Sequence, residues 1–333
     1  MQKKVRQADI AEKLGLSIVS VSKAIAGKEG VSKELREKII ETALEMGYIK
    51  SSPANNTTAS TGIIGILVAD RFFSDNTFYS NMYRSLLIKS TKAGYSAMLE
   101  IVTAESEQNC TMPQMISSGL VEGILFMGEL SRDYLQTIRD TKLPCIMLDF
   151  YDDEIDEDSV CSDNLHGSYR ITSHLIEQGC QQIGFVGAPL STASIMDRYL
   201  GYRKALLRNN LSANPDWLIQ DRNEAGRFIP LILPPTLPDA FVCSCDEVAY
   251  LLVNALQERG VRIPEDILVA GYDDYRYATI CDPPLTTYHV NVDKMCETAI
   301  SALIRKIRGK SYTQGCVVIN GSFIIRKSTN RTQ

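Results

Sequence analysis

Residues 8–48, ADIAEKLGLSIVSVSKAIAGKEGVSKELREKIIETALEMGY, are the stretch from which the rest of the chain is best read. Residues 5–14 set Ile10 and Leu14 on one face of a short helix. Gly15 supplies a turn, and Ser17 is a good N-cap for a second helix over 18–26. A third helix follows, with Ser32 as its cap, Leu35 and Ile39 pointing inward, and Met46 and Gly47 near its end. Two short helices joined at a glycine match the helix-turn-helix pattern, whose second helix lies in a DNA major groove. On that pattern Ser17, Ile18, Val19, Ser20, Ser22 and Lys23 are the residues offered to double-stranded DNA. Ile18 and Val19 suit thymine methyl groups, and Lys23 a phosphate or a guanine edge.

The charge supports this division. The whole chain of 333 residues has a formal net charge of −5. Residues 1–50 carry ten Lys/Arg against seven Asp/Glu, a net of +3, which leaves −8 for 51–333. A weakly basic head on an acidic body suits a protein that meets phosphates at one end only. An ordinary solvated helical bundle would show the same +3. With 44% hydrophobic residues the chain is long enough for two or three domains.

The nine cysteines follow no metal-ligand rhythm. Cys243 and Cys245 form C-x-C within an apolar strand pattern, which reads as buried thiols in a reducing compartment. The polar, charged start of the sequence predicts no secretory signal, and no apolar run approaches membrane-spanning length. The expectation is a soluble, cytoplasmic protein without membrane contact.

Residues 51–61, SSPANNTTAST, hold no large apolar side chain and read as a linker. Beyond Gly62 short β-rich runs alternate with helical stretches. Strands are predicted over 63–69, 96–102, 123–127, 145–150, 160–162, 182–187, 217–221, 240–243, 267–272 and 286–290. Helices are predicted over 78–93, 165–178, 196–209, 247–259 and 292–308. Continuous apolar strands separated by helices indicate parallel sheets covered on both faces, and about ten strands indicate two such lobes.

The segment 8–48 resembles the head of the lactose-repressor (LacI/GalR) family of bacterial transcription regulators. The landmarks are Asp9-Ile10-Ala11, Gly15-Leu16-Ser17, Val21-Ser22-Lys23, Val31-Ser32, Arg36 and Gly47-Tyr48, in that order and spacing. The resemblance implies an α/β chain: an N-terminal three-helix helix-turn-helix head and a two-lobed periplasmic-binding-protein-like body with parallel sheets. It places the head at 1–50, the linker at 51–61 and the body at 62–330. Lobe 1 is then about 62–160 and 290–318, and lobe 2 about 161–289 and 319–330. Two departures stand out. The linker lacks the leucine that family members wedge into the minor groove, which needs an apolar side chain. RFIPLILPPTLP (227–238) places four prolines where members have a helix, so a helix of about one turn is expected.

Open α/β sheets bind ligands at the carboxyl ends of their strands. Phe78 and Tyr79 follow the first strand, Phe150 ends CIMLDF, Arg198 lies in SIMDRYLGY and Asp273 closes ILVAGYD. Each has a plainer reading: Phe150 as core, Arg198 as a surface partner of Asp197, Asp273 as a turn carboxylate. The resemblance implies an effector site built from Phe78, Tyr79, Phe150, Arg198 and Asp273, with Ser194 as a further polar contact. Met127 falls on a wall position, and Cys245 stands where sugar-responsive members often carry asparagine. Met127, Phe150 and Cys245 together predict a cleft less polar than a free-hexose site, and hence a glycoside-like ligand.

His166 and His174 are eight apart on one predicted helix and cannot share a metal. No nucleophile–base order and no phosphate-cradling glycine loop is present. The sequence therefore calls for no metal, cofactor or catalytic residue. The leading expectation is a homodimeric, ligand-responsive repressor of carbohydrate-related genes, binding an operator and a small sugar-like effector. The alternative is a two-lobed α/β sugar- or nucleotide-processing enzyme. A transport-type binding protein is disfavoured by the missing export signal.

Overall fold

The computed structural model describes residues 7–25, 30–46, 61–73 and 77–331. The predicted start of the first helix at Val5, the positions Ala26 and Gly47, and all but the last residue of the 51–61 linker lie outside the described residues. The chain divides into two compact units, Met1–Ala59 and Ser60–Gln333.

In the first unit three helices span Gln7–Leu14, Ile18–Ile25 and Lys33–Glu45. Ile10, Ala11, Val21, Ala24, Ile39 and Ala43 form its small core, with Leu14, Leu16, Val31, Leu35 and Met46 packed at the margin. Gly15 turns the chain at φ +66°, a conformation glycine adopts without a Cβ clash. The Ser17 hydroxyl then accepts from the Ser20 amide at 3.1 Å and caps the second helix. Ser32 does the same for the third, accepting from the Leu35 amide at 3.3 Å.

The second unit contains twelve strands among its described residues: β1 Ile63–Ala69, β2 Ser96–Val102, β3 Ile124–Met127, β4 Cys145–Leu148, β5 Ser159–Ser162, β6 Ile183–Val186, β7 Leu218–Ile219, β8 Ala240–Cys243, β9 Leu268–Ala270, β10 Thr287–His289, β11 Cys316–Ile319 and β12 Ser322–Ile324. One parallel sheet has the order β11-β5-β4-β3-β1-β2, and a second has β7-β6-β8-β9. β10 and β12 pair antiparallel. Fully buried runs such as Ile124–Met127 and Ala240–Cys243 explain why these segments carry no polar alternation.

The chain crosses between the two sheets three times. After β5 it enters helix Asn164–Glu177, which packs on helix Ala193–Arg208 of the second lobe. After β10 it returns through helix Val292–Ile307, which packs on helix Thr77–Lys92 of the first. After β11 it leaves again for β12. Asp163 N donates to Ile319 O at 3.1 Å and so ties two of these crossings together.

Three sequence expectations need correction. The sequence predicts no strand past Val290, yet β11 and β12 lie there; their half-exposed, edge-like burial leaves a weak apolar signal. The strand expected over 217–221 shrinks to two residues, since a short helical turn occupies Pro215–Trp217. The single helical turn expected within 227–238 is absent: the segment has no helix. Pro230, Pro234, Pro235 and Pro238 each lack the amide a helix needs and clash with the preceding turn. The other predicted strands and helices of the body lie within a few residues of expectation, and helix Arg132–Arg139 adds to them.

Candidate functional site

A cavity of about 390 Å³ lies at the carboxyl ends of the strands of both sheets. Its first-lobe wall comes from Asp70, Arg71 and Phe72 after β1, Phe78 and Tyr79 at the start of helix Thr77–Lys92, and Asp149 after β4. The second-lobe wall comes from Ser194 and Arg198, the segment Arg222–Phe228 after β7, Cys245 and Asp246 after β8, and Asp273 after β9. Its volume suits a small molecule.

Arg198 is the hub. It is only 6% exposed, and its guanidinium is fixed on several sides. Nε donates to Asn164 Oδ1 at 2.9 Å and Nη1 to the Ser244 carbonyl at 2.5 Å. The guanidinium carbon sits 3.9 Å from the centre of the Tyr272 ring, a cation–π contact. Nη2 stands 3.2 Å from Asp273 Oδ1. A planar fork with five donors can satisfy all of these at once, which lysine could not.

Around it sit carboxylates held against their ordinary ionisation. Asp149 accepts from the Tyr79 hydroxyl through Oδ2 at 2.9 Å, while its Oδ1 is buried without a hydrogen bond. Burial raises its pKa to about 6, against the opposing pull of Arg198 and the Tyr79 bond. Asp273 Oδ1 is likewise buried without a hydrogen bond. Burial raises the Asp273 carboxyl to about 7, Arg198 opposing and Asp149 adding to the rise. Both residues sit on left-handed backbone, at φ +73° for Asp149 and φ +106° for Asp273. Non-glycine residues hold such backbone at a cost and concentrate at functional sites. Asp246 is internally satisfied, accepting from Thr287 Oγ1 at 2.7 Å and from the Tyr275 amide at 2.9 Å.

Of the residues singled out from sequence, Phe78, Tyr79, Ser194, Arg198, Cys245 and Asp273 line this cavity. Met127 and Phe150 do not. Met127 is fully buried within β3 and Phe150 is 2% exposed, both inside the first-lobe core. The expectation that Phe150 lines the cleft is off by one residue, because the chain turns at Asp149 and presents that carboxylate instead. The less polar cleft predicted from Met127, Phe150 and Cys245 is therefore not formed. Asp149, Arg222 and Arg71 take part in its wall, and the cavity is strongly charged. Arg198 pairs with Asp273 and not with Asp197, which accepts instead from the Tyr151 hydroxyl at 3.0 Å. Asp149 could have been found by the rule that polar residues just after a strand line the site. Arg222 follows too short a strand for that rule to flag it.

In the first unit, Ile18 is 54% and Val19 63% exposed, large apolar side chains on a surface helix with no core to serve. Ser17, Ser22 and Lys23 are exposed and Ser20 is half-buried. Val21 and Ala24 turn inward to the core. One face of the second helix is thus left as a continuous contact surface.

The periplasmic binding protein-like domain family matches residues 172–329. The HTH-type transcriptional repressor PurR of Pasteurella multocida (strain Pm70) is 29% identical over 335 residues, covering 96% of this chain and 97% of that protein. The transcriptional regulator CelR in complex with cellobiose has the same fold, with a TM-score of 0.70 at 20% identity over 97% of this chain and 99% of that one. The lac repressor dimer bound to operator and the anti-inducer ONPF also shares it, with a TM-score of 0.68 at 23% identity over 98% and 99%. Among the described residues no helix is long and apolar enough to cross a membrane.

Proposed function

We propose that the chain is a transcription regulator of the lactose-repressor (LacI/GalR) family that represses carbohydrate-related genes in response to a sugar-like effector bound between its lobes. As a regulator and not an enzyme, it needs two responses from one chain, to DNA and to a small molecule. The exposed face Ser17–Lys23 is the proposed DNA contact. A single three-helix head covers few base pairs, so affinity requires two heads on a pseudo-palindromic operator, hence a homodimer.

The observation that carries the effector reading is the pair of buried carboxylate oxygens, Asp149 Oδ1 and Asp273 Oδ1, both without a hydrogen bond on the wall of one cavity. Such atoms are costly unless something donates to them. A polyol supplies hydroxyls that donate to a carboxylate and accept from an arginine at once. Phe78 and Tyr79 from the first lobe and Phe228, Tyr275 and Tyr277 from the second line the same cavity, and their rings suit the apolar faces of a sugar ring. The two carboxylates belong to opposite lobes, so a ligand donating to both favours one interlobe geometry. It shifts the regulator's population by its differential affinity for that geometry.

The test is calorimetric titration of the full chain with mono- and disaccharides, with nucleobases as the competing class. Asp149→Asn and Asp273→Asn are carried in parallel. Sugar binding that both variants abolish supports the proposal. Nucleobase binding abolished by the same variants would keep the cleft and remove the sugar. Binding indifferent to both variants removes the cleft.

A further inference from the structure

A second chemical site lies away from the cavity walls, on the edge strand β11 of the first sheet and its neighbour β5. In the parallel ladder of β5 and β11, Cys316 stands opposite Ser159 and Val318 opposite Cys161. Residues two apart on a strand share a face, so Cys161 and Cys316 are diagonal neighbours on one side of the sheet. Cys161 is 3% exposed, whereas Cys316 is exposed on the edge strand. The Cys316 backbone is fixed by its neighbour: Gly315 N donates to Asp158 Oδ1 at 2.7 Å, and Gly315 O accepts from Ser159 N at 3.2 Å. Ser159 is 2% exposed, and its Oγ is buried with no hydrogen-bond partner.

We propose that Cys161 and Cys316 are a peroxide-responsive thiol pair, with Cys316 the sulfur that is oxidised and Cys161 the one that resolves it into a disulfide. Two features make Cys316 the attacking sulfur. It is reachable from solvent, and the neighbouring Cys161 thiol favours its thiolate, lowering the Cys316 thiol to about 6 against partial burial and the nearby Asp197 carboxylate of helix Ala193–Arg208. The same contact, and then burial, hold Cys161 well above the ordinary thiol range. A low-pKa, solvent-accessible cysteine next to a second cysteine is the arrangement common in redox-sensing pairs.

The chemistry balances with a hydroperoxide as the oxidant. The Cys316 thiolate attacks one peroxide oxygen, forming S–O as O–O breaks, and the departing hydroxide leaves as water. Cys161 then attacks the sulfenic sulfur, forming S–S as S–O breaks. The expelled hydroxide takes the Cys161 proton and leaves as a second water. Two thiols are oxidised by two electrons and one peroxide is reduced. A small-molecule thiol reverses the step.

The position gives the bond a structural consequence. β5 runs into the crossing at Asp163 and β11 into the crossing after Ile319, and these two are already tied by the Asp163–Ile319 hydrogen bond. Diagonal partners lie farther apart than direct ones, so closing the bond draws β11 along β5. That movement works against the Gly315 hydrogen bonds and the β5–β11 ladder, so the closed bond strains this edge of the sheet. The covalent link would then join two of the three connections between the lobes just before they leave the sheet.

The test is titration of the full chain with hydrogen peroxide at pH 7, followed by peptide mapping without reduction. The expected product is one intramolecular disulfide, Cys161–Cys316, with the other cysteines reduced. Cys161→Ser should stop the reaction at a Cys316 sulfenic acid trapped by dimedone, and Cys316→Ser should abolish both products. In the wild-type chain, iodoacetamide labelling of Cys316 should be half-maximal near pH 6. At pH 6 it should run about tenfold faster than labelling of the same thiol in the unfolded chain. A disulfide between any other pair or between two chains, or Cys316 still reduced when Cys110 is oxidised, overturns the proposal. The wild-type mapping alone decides it if a variant fails to fold.

Discussion

Arg198 Nη2 stands 3.2 Å from Asp273 Oδ1, yet that oxygen receives no hydrogen bond. The guanidinium is already aligned on Asn164, Ser244 and the Tyr272 ring, so it holds Asp273 chiefly by charge. Stability and the proposed recognition thus meet in one side chain. Arg198→Ala should lower stability by about 3–5 kcal/mol, the usual result of leaving a buried charge without its partner. It should also weaken effector binding by about 2–4 kcal/mol, roughly 30- to 1000-fold. Arg198→Lys should recover little of either, because an ammonium cannot make the planar fork. Urea midpoints and effector titrations of both variants check this; a wild-type midpoint in Arg198→Ala would remove Arg198 as the hub.

Asp149 gives a pH prediction with a definite sign. Its folded pKa is raised from 3.8 to about 6, so between those values the folded state binds more protons than the unfolded chain. Stability contributed by this group therefore falls as pH rises from 4 to 7, and Asp273 acts in the same direction up to about 7. Asp149→Asn removes the ionisation and should raise the stability of the ligand-free chain at pH 8 by on the order of 3 kcal/mol. The gain should vanish near pH 4. An equal effect at both pH values would show that the substitution acts through packing alone.

Gly167 tests support at a distance from the ligand. A Cβ there would lie 2.5 Å from the Tyr272 hydroxyl and 2.8 Å from the Tyr288 ring. Tyr272 is the platform for the Arg198 guanidinium, so Gly167→Ala should displace that platform and loosen the hub. Overpacking of this kind costs about 1–3 kcal/mol. Effector affinity should fall as well, although Gly167 touches no part of the cavity. Unchanged affinity in a destabilised protein would mean that the Tyr272 ring does not position Arg198.

On the DNA side, Val19→Ala should reduce discrimination at a thymine, by about 1 kcal/mol or less, with little change in non-specific binding. Lys23→Ala should weaken operator binding and flatten its salt dependence if it meets a phosphate. Fluorescence anisotropy over a salt series, on operator and scrambled duplexes, separates the two. Variants that behave as wild type in both measurements would take this helix out of the interface.

The helices of the head and most strands of the body were legible because their apolar periodicity and caps are local signals. Ser17 and Ser32 were recognisable as caps, and both cap as expected. The site was half legible. Arg198 and Asp273 follow from the rule about strand ends, but Asp149 and Phe150 differ by one position, and only the left-handed backbone at Asp149 decides which faces the cavity. The Cys161–Cys316 pair was illegible, since it depends on a ladder between strands 155 residues apart in sequence, one of them without a strong apolar pattern. Local patterns say which segments form; they say little about which residues a non-local register brings side by side.

The proline-rich run that replaces a helix over 227–238 begins at the cavity wall, where Gly226, Arg227 and Phe228 reside. No helical hydrogen-bond ladder passes through this run, so insertions or exchanges there disturb no regular element. Selection can therefore rework one side of the recognition surface while Arg198 and the strand-end carboxylates stay fixed. In this chain the segment is the ready route to a changed ligand preference, and the natural site for a randomised library.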